Sequence, residues 1–287
     1  METQQEEIRA QQKQNWNKVS AGWEKWDQFI MDFLRPMGDA IIDRLEIKED
    51  DIVLDIAAGT GEPGLTIAAI VKKGKVIGTD LSDEMLRLAA ANAATKGLKN
   101  YSIKAADVCE LPFADNTFTK ISCRMGFMFF PDMRVAANEM YRVLQPGGCF
   151  AISVWSAPDK NFWSTAFTSV INKYITPPTL PPNAPGMFRC SKPGLMTDIF
   201  AQAGFTHIGE QELNGKVDFI DADTYWQNRT EISESVIASL AKVDEATKAA
   251  IKNDVYDLIN ANSTDGRALL DYGTTIIYAE KAGRKKV

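Results

Sequence analysis

Between residues 52 and 155, short apolar runs alternate with longer amphipathic stretches. The apolar runs are Ile52–Ile56, Lys75–Thr79, Tyr101–Lys104, Phe118–Cys123 and Cys149–Trp155, each of strand length. The stretches between them carry helix start and stop signals. Pro63 suits a first helical turn, where its missing N–H has no intrahelical partner to lose. Ser82 reads as an N-cap, with Asp83 and Glu84 in the first turn and Gly97 past the end. From Met133 to Leu144, the side chains of Ala136, Met140, Val143 and Leu144 fall on one helical face. Strands alternating with helices in this way predict an α/β fold, a mostly parallel sheet with helices on both faces.

The flanks give coarser expectations within what reads as a single domain. Residues 1–47 form a helical cap carrying Trp16, Trp23, Trp26, Phe29 and Phe33, and residues 48–155 form the core. Residues 156–287 form a lid or substrate region that also supplies two more strands. Within it the proline-rich segment Ile175–Gly186 breaks regular structure. Ser191 is expected to cap a helix that stops at Gly204, followed by a strand over Phe205–Leu213. Two amphipathic helical stretches between Ile232 and Ala261 and a last strand at Thr274–Glu280 complete the chain.

At 287 residues the chain can bury one substantial core. Its formal charge of -6 argues against nucleic acid, whose phosphates need clustered Lys and Arg. The one basic cluster, Arg284-Lys285-Lys286, reads as a solvated tail. Cys109, Cys123, Cys149 and Cys190 form no C-x-x-C pair and read as reduced, packed thiols. A single histidine, His207, leaves no dedicated zinc site, so no metal is expected. The first residues lack the apolar stretch of a signal peptide, and no run approaches the ~18 apolar residues of a membrane span. The expectation is a cytoplasmic protein acting on a small molecule.

Candidate chemistry begins at Gly59-Thr60-Gly61-Glu62-Pro63-Gly64, which spells G-x-G-x-x-G, the pattern of a dinucleotide loop. Such a loop must offer bare N–H groups and a helix N-terminus to a doubly negative pyrophosphate. Here Asp55 precedes it, Glu62 lies within it, and Pro63 removes a donor. These features suit a ligand without phosphate and with net positive charge, such as S-adenosylmethionine (SAM). Asp80 at the end of the second strand can accept from both ribose hydroxyls. Asp107, just after the third, can accept from an adenine amine while the Val108 N–H donates to the ring. Taken singly, Asp55 could cap the loop, Asp80 the next helix, and Asp107 could be a turn residue. Together they converge on one crevice at the carboxyl edge of the sheet.

The pattern Asp55-x-Ala57-x-Gly59-x-Gly61, then Asp80, then Asp107, resembles the class I SAM-dependent methyltransferases. CRMGFMFFPD at Cys123–Asp132 and EMYRVLQPGG at Glu139–Gly148 resemble the group that methylates ubiquinone and menaquinone precursors. This resemblance, strong over residues 16–155, implies a Rossmann-like, seven-stranded, mostly parallel sheet whose last strand is antiparallel. It also implies N-terminal helices and a helical lid insertion. The implied donor site comprises Asp55, Ala57, Gly59, Thr60, Gly61, Asp80, Leu81, Met85, Asp107, Val108, Cys123 and Arg124. Ala57 stands where the family often has glycine, which a negative φ would allow. Residues Trp16–Glu24 resemble the family's N-terminal signature, with Trp23 in place of its tyrosine, and that segment closes over the methionine end of the donor in relatives.

Methyl transfer is an in-line displacement at an activated carbon, so positioning in a dry pocket matters more than any one catalytic group. No catalytic residue is assigned. His207 lies on the strand after Gly204, away from the carboxyl ends of the first four strands, and is set aside as a base. Arg124 can hold an acidic substrate or oxyanion, or form a structural ion pair. Trp23, Trp26, Phe127, Trp155 and Trp163 are the other candidates for a substrate pocket. O- or C-methylation of a hydrophobic or aromatic metabolite leads. The alternatives are N-methylation of a small amine or phospholipid headgroup, an NAD(P)-dependent oxidoreductase, and a non-catalytic SAM-binding protein.

Overall fold

The central sheet of the chain, a computed structural model describing residues 4–177, 181 and 184–283, has the strand order β3-β2-β1-β4-β5-β7-β6. The basic tail Arg284–Lys286 and part of the proline-rich segment lie outside the described residues. The strands are β1 (Ile52–Ile56), β2 (Lys75–Asp80), β3 (Tyr101–Ala105), β4 (Phe118–Arg124), β5 (Leu144–Trp155), β6 (Thr206–Asp218) and β7 (Leu269–Glu280). β7 lies between β5 and β6 and runs antiparallel to both, in register from Cys149 opposite Glu280 to Trp155 opposite Thr274. The pairs among β1 to β5 are parallel.

Two helices precede the sheet, α1 (Gln4–Lys25) and α2 (Asp27–Leu45). They differ in what they bury. α2 places Ile30, Leu34, Met37, Ile41 and Leu45 along one face, and these residues belong to the core. α1 is polar for most of its length and buries only Val19 and Ser20. It is a strap laid over the carboxyl edge of the sheet rather than a core element.

α3 (Gly64–Ile70) and α4 (Asp83–Thr95) follow β1 and β2. With the end of α2 they cover one core cluster, in which Leu65, Ile67 and Ala89 pack with Val53 and Val76. Ser82 caps α4 as its sequence predicts, its Oγ accepting from the Met85 N–H at 3.1 Å. α5 (Met133–Val143), α6 (Phe162–Tyr174), α7 (Leu195–Gln202), α8 (Ala222–Ile232), α9 (Glu234–Leu240) and α10 (Glu245–Ala261) contribute to the larger cluster.

α7 starts later than expected, after Gly194 at φ +77. Ser191 does not cap it; its hydroxyl donates to the Phe188 carbonyl and closes a turn before Pro193. α6 and α8 have no counterpart among the expected elements. α6 carries a legible stripe, Trp163, Phe167, Val170 and Ile171. The buried side of α8 instead includes Asn228 and Arg229, which a hydrophobic pattern does not register. Among the described residues no helix is long and apolar enough to cross a membrane.

Candidate functional site

The ends of β1, β2 and β4 and the turn after β3 surround one cleft. Ala57, Gly59 and Thr60 line it after β1, and Asp80, Leu81 and Met85 after β2. Ala106 and Val108 follow from β3, and Arg124, Met125, Gly126, Phe129 and Phe130 from β4. Trp16 and Trp23 of α1 and Leu34 of α2 close it from above.

Eight of the expected donor-site residues therefore line the cleft: Ala57, Gly59, Thr60, Asp80, Leu81, Met85, Val108 and Arg124. Asp55, Gly61, Asp107 and Cys123 are not among the residues that line it. Cys123 is fully buried, and burial pushes its thiol pKa well up. Gly61 sits at φ +115 with its N–H on the Ala58 carbonyl, and any Cβ there would meet Leu65 at 2.7 Å.

Asp80 ties the glycine loop to α4. Its Oδ2 accepts from the Gly59 N–H and its Oδ1 from the Ser82 N–H, each at 2.9 Å. Burial raises its pKa, and these backbone donors partly offset that rise. Asp55 is fully buried and accepts from the Ser122 hydroxyl at 2.7 Å and the Gly64 N–H at 3.1 Å. Desolvation pushes its carboxyl up to about 7 against these bonds.

The start of α3 is saturated by its own chain. Asp55 takes the Gly64 N–H, the Gly61 carbonyl takes that of Leu65, and Glu62 takes that of Thr66. Glu62, itself on the cleft wall, is neutralised by Lys96 at 2.9 Å. No first-turn donor is left for a pyrophosphate.

Ala57 corrects an expectation: its φ is +54, not negative. Here the chain leaves β1 and turns into the loop, with the Ala58 N–H reaching the Thr79 carbonyl at 2.9 Å. Met125, at the end of β4, is also left-handed at φ +58. Two strained non-glycine residues thus face the same cleft, the kind of placement typical of functional sites. Gly126 is fixed by this crowding, because a Cβ there would stand 2.4 Å from that of Ala57.

Asp107 does not stand free for a ligand. Its side chain accepts from the Cys109 N–H and its Oδ2 lies 2.6 Å from Arg9 Nη2 of α1. Lys13 pairs with Asp83, and Asn17 Oδ1 accepts from the Ser82 hydroxyl at 2.6 Å. The first half of α1 is therefore anchored at the β2–β3 side of the cleft. Its second half brings Trp16 and Trp23 over the cleft, the rings 5.8 Å apart, with Trp16 5.4 Å from Phe129. The Trp23 indole N–H is buried without an acceptor.

Arg124 has no carboxylate within ion-pair distance among the described residues, so the structural ion pair is not formed. Its Nη2 contacts the Met31 sulfur at 3.6 Å. Burial lowers its pKa, and the more distant Glu62, Asp55 and Asp27 pull it back up.

Four of the candidate pocket rings do not line the cleft. Trp26 turns away and donates to Glu231 at 2.7 Å. Phe127 is fully buried. Trp155 and Trp163 pack on Phe33, with centroids 5.8 and 5.0 Å away. The core between α2 and α6 takes these rings because they supply its largest apolar surfaces. Gln12, Leu34, Met125 and Gly126 line the cleft without having been anticipated; nothing local in the sequence marks the first two. His207 is exposed on the edge strand β6, 3.2 Å from Glu280. No group of three or more His, Cys, Asp or Glu able to hold a metal occurs among the described residues.

Residues 53–148 match a family described as a methyltransferase domain. An uncharacterized protein of Mycobacterium tuberculosis is 35% identical over 138 residues, 47% of this chain and 49% of that one. A demethylmenaquinone methyltransferase of Listeria monocytogenes is 31% identical over 134 residues, 46% of this chain and 56% of that one. The chain spans about half the length of these curated relatives. Among solved structures, the YcgJ protein of Bacillus subtilis superposes with a TM-score of 0.59 at 20% identity, covering 85% of this chain and 97% of that one. Together with the strand order, the antiparallel β7 and the glycine loop, these likenesses show that the chain has the class I SAM-dependent methyltransferase fold.

Proposed function

We propose that this chain transfers the methyl group of SAM to a small, hydrophobic or aromatic metabolite. The observation that carries this reading is the polarity of the cleft. An acid, Asp80, lines it after β2, and a half-buried cation, Arg124, without an ion-pair partner among the described residues, lines it after β4. The ribose diol of SAM suits the first, and its carboxylate, or an acidic group of the acceptor, suits the second. The left-handed glycine loop lies between them. Val108 can donate its backbone N–H to the adenine ring, and Asp107 can accept from the adenine amine once its pair with Arg9 opens.

The chain's own residues would act by placement. Trp16, Trp23, Phe129 and Phe130 exclude water, and the buried Trp23 N–H can orient an acceptor oxygen. SAM, when bound, supplies the activated methyl. An oxidoreductase reading loses support because every first-turn donor of α3 is taken. O- or C-methylation is favoured because Arg124 can hold an oxyanion of the acceptor. N-methylation keeps one supporting observation, the cluster of Trp16, Trp23 and Phe129, whose ring faces can attract an ammonium. Titration calorimetry with SAM, S-adenosylhomocysteine and NADH is the first test: binding of NADH alone would overturn the proposal. Labelled-methyl transfer to a metabolite panel then separates an enzyme from a SAM-binding protein that has lost its acceptor site.

A further inference from the structure

α8 holds two buried polar side chains that the donor cleft does not use. Asn228 is 1% exposed, and neither its amide nitrogen nor its amide oxygen has a partner. Arg229 is 6% exposed, its Nε is buried without an acceptor, and it makes no ion pair among the described residues. Its guanidinium lies 4.7 Å from the Trp163 ring centroid. The nearest acid along the helix, Glu231, is engaged by Lys25 and Trp26 of the cap. The Tyr225 phenol is the titratable group facing Arg229, and it donates its proton to the Trp163 carbonyl at 2.9 Å.

A desolvated guanidinium without a counter-ion and a carboxamide without a hydrogen bond are both costly to keep. They occur here one after the other, with an aromatic ring flanking the cation. Two donors stand open side by side, Arg229 Nε and the Asn228 amide nitrogen, and such a pair suits the oxygens of a planar anion. α1 presses on α8 at Gly22, where a Cβ would stand 2.2 Å from the Glu231 carbonyl oxygen, and the next residue, Trp23, roofs the cleft. Phe33 links the two regions from the other side, packing on Trp163 while its neighbour Leu34 lines the cleft.

We propose that Asn228 and Arg229 recognise the carboxylate of an acidic aromatic metabolite whose methyl-accepting end lies in the cleft. This rests on the methyltransferase reading and names its acceptor class. The α1 strap would then cover both donor and acceptor, and α8 would decide which metabolites are accepted.

The test uses the full chain and three probes: 1-naphthoate, benzoate and the neutral 1-naphthamide, each followed by thermal shift with and without S-adenosylhomocysteine. The carboxylates should raise the melting temperature of the wild type and the amide should not. Arg229→Met should lose that response yet melt at or above the wild type without ligand, because an uncompensated charge has been removed. A merely structural arginine gives the opposite, a lower melting temperature with the carboxylate response intact, and that result overturns the proposal. Should Arg229→Met be insoluble, Arg229→Lys and Asn228→Leu carry the test. Each should weaken 1-naphthoate by about tenfold, the scale of one charge-assisted contact, and unchanged affinity in both overturns the assignment. A wild type that does not distinguish the carboxylates from the amide overturns it as well. Calorimetry with SAM is read separately: all variants should bind it within about twofold of wild type, so failure of the donor site and failure of this subsite are told apart.

Discussion

Arg9 of the α1 strap holds Asp107 at 2.6 Å, joining the cap to the turn after β3 where an adenine would lie. Arg9 is partly exposed and Asp107 nearly buried, so the pair contributes on the order of 1 kcal/mol. Arg9→Ala should therefore cost little stability but loosen α1, seen as faster limited proteolysis within residues 4–25. If Asp107 also reads the adenine amine, Arg9→Ala should bind SAM at least as tightly as wild type, whereas Asp107→Ala should bind it more weakly. Equal losses in the two variants would mean that the pair serves only to hold the strap.

Asp80 supports the loop and faces the cleft at once. Asp80→Ala should weaken SAM binding by roughly 1.5–3 kcal/mol, the scale of charge-assisted hydrogen bonds. It should also lower the melting temperature, since Gly59 and Ser82 lose the acceptor of their N–H groups. Calorimetry that finds the affinity unchanged would remove Asp80 from the ribose site.

Stability should fall as pH rises towards neutrality, and Asp55 is the main reason. Its carboxyl is raised from 3.8 to about 7 by burial, so the folded chain holds that proton more tightly than the unfolded one. Its contribution is complete below about pH 4 and is lost as pH rises through about 7. Burial raises Asp80 in the same direction. Asp55→Asn keeps an acceptor for Gly64 and offers a donor to Ser122, so its melting temperature should decline less between about pH 5 and pH 8. Parallel curves for the two proteins would contradict this.

Ala57 stores a small strain. A left-handed alanine costs about 1 kcal/mol relative to glycine, partly offset by the greater freedom glycine has when unfolded. Ala57→Gly should raise the melting temperature slightly and leave more room beside Gly126. A lower melting temperature would mean that the alanine methyl packs better than its backbone angle costs.

Deleting α1 alone, residues 1–26, should leave a folded sheet because α2 carries the buried apolar face. A cut at residue 30 would enter α2 and remove Ile30 from the core. The shortened chain should bind SAM poorly and turn over little. Full activity after the deletion would make α1 packing alone.

Strands β1 to β4 were legible because each apolar run is short and closed by glycine, an acid or a turn, whereas β5 and β7 begin earlier than expected, at Leu144 and Leu269, and β6 runs on past Leu213 to Asp218. The cleft acids were legible for the same reason, since strand ends in this topology converge. The rings were not. Trp155 and Trp163 carry no mark that separates a core ring from a cleft ring, and only Phe33, more than a hundred residues earlier, settles their place. α8 was hidden because it buries Asn228 and Arg229 where a pattern reader expects leucines. The left-handed angle of Ala57 follows from the tight exit from β1, which residue identity alone argued against.

The position of β7 has a consequence for how the chain is made. β5 is complete at Trp155, but the strand that fills the slot between it and β6 begins only at Leu269. During synthesis, β5 must wait more than a hundred residues with one edge unpaired, and that strand carries Phe150, Ile152 and Val154. An exposed apolar edge of this kind invites pairing with another nascent chain. Ribosome-bound intermediates of this protein should therefore be the species most in need of a chaperone, and their demand should end when Leu269–Glu280 emerges.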